Sequence, residues 1–166
     1  MNTARKMPVG MQDFEDLRTE GFLYVDKTEY VYRLATQGKP YFLSRPRRFG
    51  KSLFLSTLKA YFEGKRELFE GLKIAEMEKD WIKYPVIYLD FNVGLLTGAT
   101  NVAKRLSLKI REFELLWGKK ADIEDLASRF EAVIESAYEQ TGKKVVVLID
   151  EYDKPLINTM EDEASN

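Results

Sequence analysis

An α/β fold with a mostly parallel sheet is what this 166-residue chain predicts, and three observations predict it. Helical stretches alternate with short apolar strands, the order that gives parallel pairing with right-handed crossovers. Val145-Val146-Val147-Leu148-Ile149 is a run of five aliphatic residues, suited to a central parallel strand buried on both faces. Gly50-Lys51-Ser52 stands between a short apolar run and a long amphipathic stretch, where a strand hands over to a helix.

The elements follow in order. Asp13 to Glu20 reads as a short helix in an N-terminal arm, and Phe22 to Val25 as a short strand or extended segment. Asp26-Lys27-Thr28 offers cap chemistry for a helix that runs through Tyr30, Val31 and Leu34 to a stop near Gly38. Lys39-Pro40 resets the chain, which divides it into an arm and helix over 1–38 and a core over 39–166. Tyr41-Phe42-Leu43-Ser44 is expected as a buried strand.

The next helix starts around Gly50 or Lys51, with Leu53, Phe54, Leu58, Tyr61 and Phe62 at helical spacing and Gly64 as its stop. Leu68 to Trp81 is an irregular helical region broken at Gly71. Pro85 announces a strand over Val86 to Phe91, and Gly94 to Thr100 is loop-like. Two helices follow, Val102 to Trp117 and Ile123 to Gln140, the second capped by Asp122 and ended by Gly142. The aliphatic strand comes last.

Composition narrows the chemistry. There is no cysteine and no histidine, so disulfides, thiolate zinc sites, cysteine nucleophiles and histidine acid–base schemes are all excluded. No run of about 18 apolar residues suggests a membrane span, and Met1 to Lys6 lacks the apolar centre of a signal peptide. A cytoplasmic address is expected. Net charge is −1, yet the charge is unevenly placed. Between Tyr30 and Phe62 stand seven basic residues (Arg33, Lys39, Arg45, Arg47, Arg48, Lys51, Lys59) and no acidic one. That concentration of positive potential suits a polyanionic ligand.

Arg45-Pro46-Arg47-Arg48-Phe49-Gly50-Lys51-Ser52 lies at the centre of this basic region. It ends as the pattern G-x-x-x-x-G-K-[ST] ends, but carries Arg45 at the first-glycine position. Triphosphate binding needs backbone N–H groups and a helix N-terminus converging on the phosphates. The amides of Arg47, Arg48, Phe49, Gly50, Lys51, Ser52 and Leu53 are the candidate cradle, with the Lys51 ammonium on the phosphates and the Ser52 hydroxyl on Mg²⁺. Pro46 has no N–H to give. After the aliphatic strand stand Asp150 and Glu151, the pattern of a Walker B strand. A carboxylate at the C-terminal end of a parallel strand lies on the ligand-binding edge of the sheet. There Asp150 is a candidate Mg²⁺ ligand, and Glu151 a candidate to polarise the attacking water.

Four segments in this order carry a family resemblance: Phe22-Leu23-Tyr24-Val25-Asp26-Lys27-Thr28, the arginine-rich loop, Leu89-Asp90-Phe91, and Leu148-Ile149-Asp150-Glu151-Tyr152-Asp153-Lys154-Pro155. Together they resemble the bacterial AAA-ATPase-like family, in which arginine at the position of Arg45 is usual. The resemblance implies a three-layer α/β/α P-loop NTPase core that uses ATP and Mg²⁺, with Lys51 and Glu151 as catalytic residues. It also implies a homo-oligomer, through an arginine supplied by a neighbouring subunit, and a fused or separate effector similar to PD-(D/E)XK nucleases. The chain stops sixteen residues after Asp150, short of the two further strands, sensor residues and helical lid usual in such ATPases. The core is therefore expected to be C-terminally incomplete, with hydrolysis depending on elements supplied elsewhere.

Other readings stay open at several residues. The guanidinium groups of Arg45, Arg47 and Arg48 are a solvated loop, a nucleic-acid contact or a nucleotide contact. Asn92 caps its own turn or hydrogen-bonds Glu151. Asp153 and Lys154 form a salt-bridged turn or take part in chemistry. Asp26 and Thr28 read most simply as helix caps, with contact to the nucleotide's edge as the alternative, and Tyr61 and Phe62 as core. Two functions compete with an ATPase: a nucleotide-sensing switch without turnover, and a nucleic-acid-binding module using the basic loop.

Overall fold

The computed structural model describes residues 6–44, 46, 49–91, 99–119 and 123–151, with backbone alone at 99–101. The chain separates into two compact units, Met1–Lys83 and Tyr84–Asn166.

The first unit is helical. Asp13 opens α1 (Phe14–Thr19), its carboxylate accepting from the Asp16 N–H, and Phe14 and Leu17 are buried. Helix α2 (Thr28–Gln37) ends on Gly38, whose φ of 60° is left-handed. Helix α3 (Lys51–Phe62) follows, then a 3₁₀ turn over Arg66–Phe69 and the short α4 (Ile74–Met77). The break expected at Gly71 falls between these last two elements. Phe14 lies at the centre of the core, its ring 4.9 Å from that of Phe69 and 5.0 Å from that of Tyr24. Trp81 packs against the same cluster, tilted 5.1 Å from Phe69 and edge-on 5.8 Å from Tyr61. Hydrogen bonds tie the helices to one another. Ser56 on α3 accepts from the Phe14 N–H at 2.9 Å, and the Arg18 guanidinium donates to the carbonyls of Leu68 and Glu70, both at 2.7 Å.

One strand expectation in this unit needs correction. Tyr41-Phe42-Leu43 forms no strand and all three side chains are exposed. Apolar side chains alone do not make a strand; a ladder partner is required, and no described segment pairs with this one. Phe22 to Val25 also runs without a ladder, with the Leu23 N–H donating to the Lys6 carbonyl at 2.9 Å.

The second unit holds the sheet. β1 (Val86–Asp90) and β2 (Val146–Asp150) pair in parallel, in register from Val86↔Val146 to Asp90↔Asp150. A parallel pair needs a long crossover, and here α5 (Ala99–Trp117) and α6 (Leu126–Thr141) supply it. Ile87 and Leu89 pack with Ile110 of α5 and Val133 of α6, with Phe91, Leu106, Phe113 and Phe130 around them. Helix α6 begins later than expected: Asp125 caps it, accepting from the Ser128 N–H at 2.9 Å, while Asp122 lies outside the described residues. Gly142 ends it with a φ of 64°.

The class is thus α/β with a small parallel sheet, two-stranded among the described residues. Burial of β2 on both faces is not what the structure has. Register partners share a face, so Val147 and Ile149 lie on the side of Ile87 and Leu89, yet they are 37% and 46% exposed. The reason is that the core under α5 and α6 is centred on β1.

Candidate functional site

The loop half of the site is set by one backbone angle. Gly50 precedes α3 with φ 73° and ψ 26°, a left-handed conformation that costs an L side chain about 1–2 kcal/mol. From there the chain enters α3 directly, and its carbonyl accepts the Phe54 N–H at 3.0 Å. Lys51, Ser52 and Leu53 form the first turn, all half-buried. Their amides have no acceptor inside the helix, as is true of any helix start. Among the described residues no side chain caps them, and the first turn holds no acidic residue. Two other helices are arranged differently: α6 is capped by Asp125, and in α2 the Thr28 N–H donates to Asp26 at 2.9 Å. At α3 a cation takes the place where the helix dipole favours an anion, and Lys51 makes no ion pair among the described residues. Phe49 is exposed beside Gly50. Arg45, Arg47 and Arg48 lie outside the described residues.

The acidic half is at the end of β2. Asp150 is 6% exposed. Its Oδ1 accepts the N–H of Glu151 at 2.9 Å, its Oδ2 the hydroxyl of Tyr88 at 3.4 Å, and its backbone carbonyl the N–H of Phe91 at 3.2 Å. Glu151 follows with φ 54°, a conformation uncommon outside glycine and found disproportionately at functional sites. Asn92, Asp153 and Lys154 lie outside the described residues. Phe49 to Leu53 are brought together by the turn at Gly50, and Asp150 and Glu151 by the end of β2; these halves belong to different units.

Two residues enter that sequence reasoning left out of the site. Asp90 is the register partner of Asp150, so two carboxylates stand side by side at the C-terminal ends of parallel strands. The signal for it was present, since Leu89-Asp90 repeats the ending of Ile149-Asp150. Tyr88, the donor to Asp150, had no such signal.

The donor set suits magnesium in one respect. That ion takes oxygen ligands and is commonly held by one or two carboxylates together with substrate phosphates. Asp150 is a carboxylate of that kind, and no group of three or more acidic or other metal-binding side chains exists among the described residues. An open cavity of about 620 Å³ elsewhere in the second unit is lined by Arg111, Glu114, Lys119 and Arg129, among others, and by none of the site residues above. No described helix is long and apolar enough to cross a membrane.

Comparison with known proteins gives a consistent result. The family model described as "Predicted AAA-ATPase" matches residues 8–166. A curated protein of Azotobacter chroococcum mcd 1, "Uncharacterized protein in vnfD 5'region", is 39% identical over 160 residues, which is 95% of this chain and 31% of that protein. The chain thus spans about a third of the length of this relative. No solved structure matches the chain.

Proposed function

The chain belongs to the predicted AAA-ATPase family, and from that premise we propose that it is an ATP-binding P-loop domain that hydrolyses ATP with Mg²⁺ in its full-length context. The observation that carries this reading is the start of α3: a left-handed Gly50, an uncapped first turn, and Lys51 where a helix ordinarily prefers an acid. Phosphate oxygens supply the acceptors that the amides of Lys51, Ser52 and Leu53 lack, and the Lys51 ammonium neutralises their charge. The Arg47 and Arg48 amides complete the cradle in this reading.

Ser52 and Asp150 are the proposed holders of Mg²⁺, in a three-layer α/β/α core. When bound, the ion neutralises charge building on the phosphate oxygens. Asp150 would hold it, and Glu151 would accept a proton from the attacking water as the water oxygen bonds to the γ-phosphorus and the bond from that phosphorus to the leaving ADP oxygen breaks. Lys51 holds the transferring group in place. Self-assembly and a nuclease-like effector belong to the proposal by family analogy alone, and a cytoplasmic setting by composition.

Phosphate release by the wild type and by Glu151→Gln tests the catalytic half. The expected outcome is release by the wild type, loss of at least about a hundredfold in the variant, and equal nucleotide affinity. Equal affinity with no release by either protein favours a nucleotide-sensing switch. Binding of nucleic acid that falls steeply with salt and is not displaced by ATP favours the basic-loop module instead.

A further inference from the structure

We propose that Tyr88 is a positioning residue for Asp150, fixing the plane of its carboxylate at the edge of the sheet. The inference rests on Asp150 being the Mg²⁺ carboxylate, and it goes further by saying what holds that carboxylate in place.

The terminal torsion of an aspartate is broad and roughly two-fold, so one hydrogen bond leaves the plane of the carboxylate free to turn. In Asp150, Oδ1 is held by the N–H of the next residue, Glu151, at 2.9 Å. That bond is local and follows the chain wherever Glu151 goes. The Tyr88 hydroxyl donates to the other oxygen, Oδ2, from a neighbouring strand. It therefore references the carboxylate to the sheet and not to the loop that follows β2.

Register explains why tyrosine reaches it. Tyr88 pairs with Leu148, and Asp150 pairs with Asp90, so Tyr88 and Asp150 are diagonal neighbours on one face of the sheet. A phenol spans that diagonal and a shorter hydroxyl does not. Asp150 is buried, so its oxygens have little water to substitute for a lost donor. At 3.4 Å the bond is long, and its contribution is correspondingly modest; such contacts commonly shorten when a site is loaded.

The test uses the wild type, Tyr88→Phe and Asp150→Asn, with two readouts. The first is the infrared carboxylate stretch of aspartate-labelled protein without nucleotide. A band shifted in Tyr88→Phe and absent in Asp150→Asn is expected; an unshifted band overturns the inference. The second is the ratio of ATP affinities with and without Mg²⁺. Tyr88→Phe is expected to lower that ratio about two- to tenfold while leaving Mg²⁺-free affinity unchanged. A ratio untouched by Tyr88→Phe but lowered by Asp150→Asn overturns the inference. If the band shifts and Asp150→Asn leaves the ratio unchanged, Tyr88 orients Asp150 as inferred, and it is the metal assignment of Asp150 that fails.

Discussion

Asp26 and Thr28 form a two-residue clamp that holds the starts of two helices at once. Asp26 Oδ1 accepts both the N–H and the hydroxyl of Thr28, at 2.9 and 2.7 Å, and so opens α2. Its Oδ2 accepts the Lys73 N–H at 2.8 Å, and Thr28 Oγ1 accepts the Ile74 N–H at 3.1 Å, which satisfies the start of α4. Thr28 is fully buried. Partial burial of Asp26 pushes its carboxyl up, but the hydrogen bonds from Thr28 and Lys73 outweigh this and leave it below its ordinary value of 3.8.

Breaking this clamp should cost the first unit stability. Thr28→Val keeps the volume and removes the hydroxyl, stranding the Ile74 N–H, at an expected cost of about 1–2 kcal/mol. Denaturant unfolding followed by Trp81 fluorescence, with Trp117 replaced by Phe, reads that unit alone. The pH dependence has a definite sign. Because the folded carboxyl is lowered, its contribution is present above 3.8 and lost as pH falls through that value towards the folded one. Asp26→Asn should flatten the acid limb of the stability curve.

An ion pair stabilises the other unit. Arg129 grips Glu114 with both arms, Nε to Oε1 and Nη2 to Oε2 at 2.8 Å, and its Nη1 donates to Ser107 at 2.9 Å, joining α6 to α5. The Arg129 hydrogen bonds hold the Glu114 carboxyl below its ordinary 4.5. Arg129→Ala leaves Glu114 without its partner, and because the pair borders an open cavity, water moderates the loss. The expected cost is about 2–3 kcal/mol, measured by Trp117 fluorescence in a Trp81→Phe background. It should shrink as pH falls below 4.5 towards the lowered folded value, where Glu114 becomes neutral.

Glycines 38 and 50 separate a structural role from a binding one. Both have left-handed φ, 60° and 73°, and an added Cβ meets nothing within 4 Å at either. Each change to alanine should therefore cost about 1–2 kcal/mol through backbone strain alone. Only Gly50→Ala should also weaken ATP binding, because only that turn aims amides at the proposed phosphate. Equal loss of affinity in both variants would reduce the effect at Gly50 to general destabilisation.

Much of the helical architecture was legible in the sequence because its signals are local. Gly38, Gly64 and Gly142 mark helix ends, and the apolar spacing from Leu53 to Phe62 gives α3. A parallel sheet was readable from apolar runs separated by helices, though not which runs pair. What failed was what depends on partners far along the chain. Tyr41-Phe42-Leu43 has the composition of a strand, but composition does not name the neighbour a ladder needs. Val147 and Ile149 look as buried as Leu148 on paper, yet the helices gather over β1. Asp26 reads correctly as a cap of α2, while its reach to Lys73, 47 residues away, leaves no trace in spacing. At the site, Gly50, Lys51, Ser52 and Asp150 carry motif signals; Tyr88 does not, because a cross-strand hydrogen bond is a property of register.

The central claim is that the start of α3 holds nucleotide phosphate, and calorimetric titration of ATP into the wild type and Lys51→Ala, with and without Mg²⁺, tests it most directly. The account predicts that the wild type binds ATP more tightly with Mg²⁺ than without. It predicts that Lys51→Ala loses about ten- to a hundredfold in affinity under both conditions, the worth of a charge-assisted contact. Undiminished affinity in Lys51→Ala would contradict it.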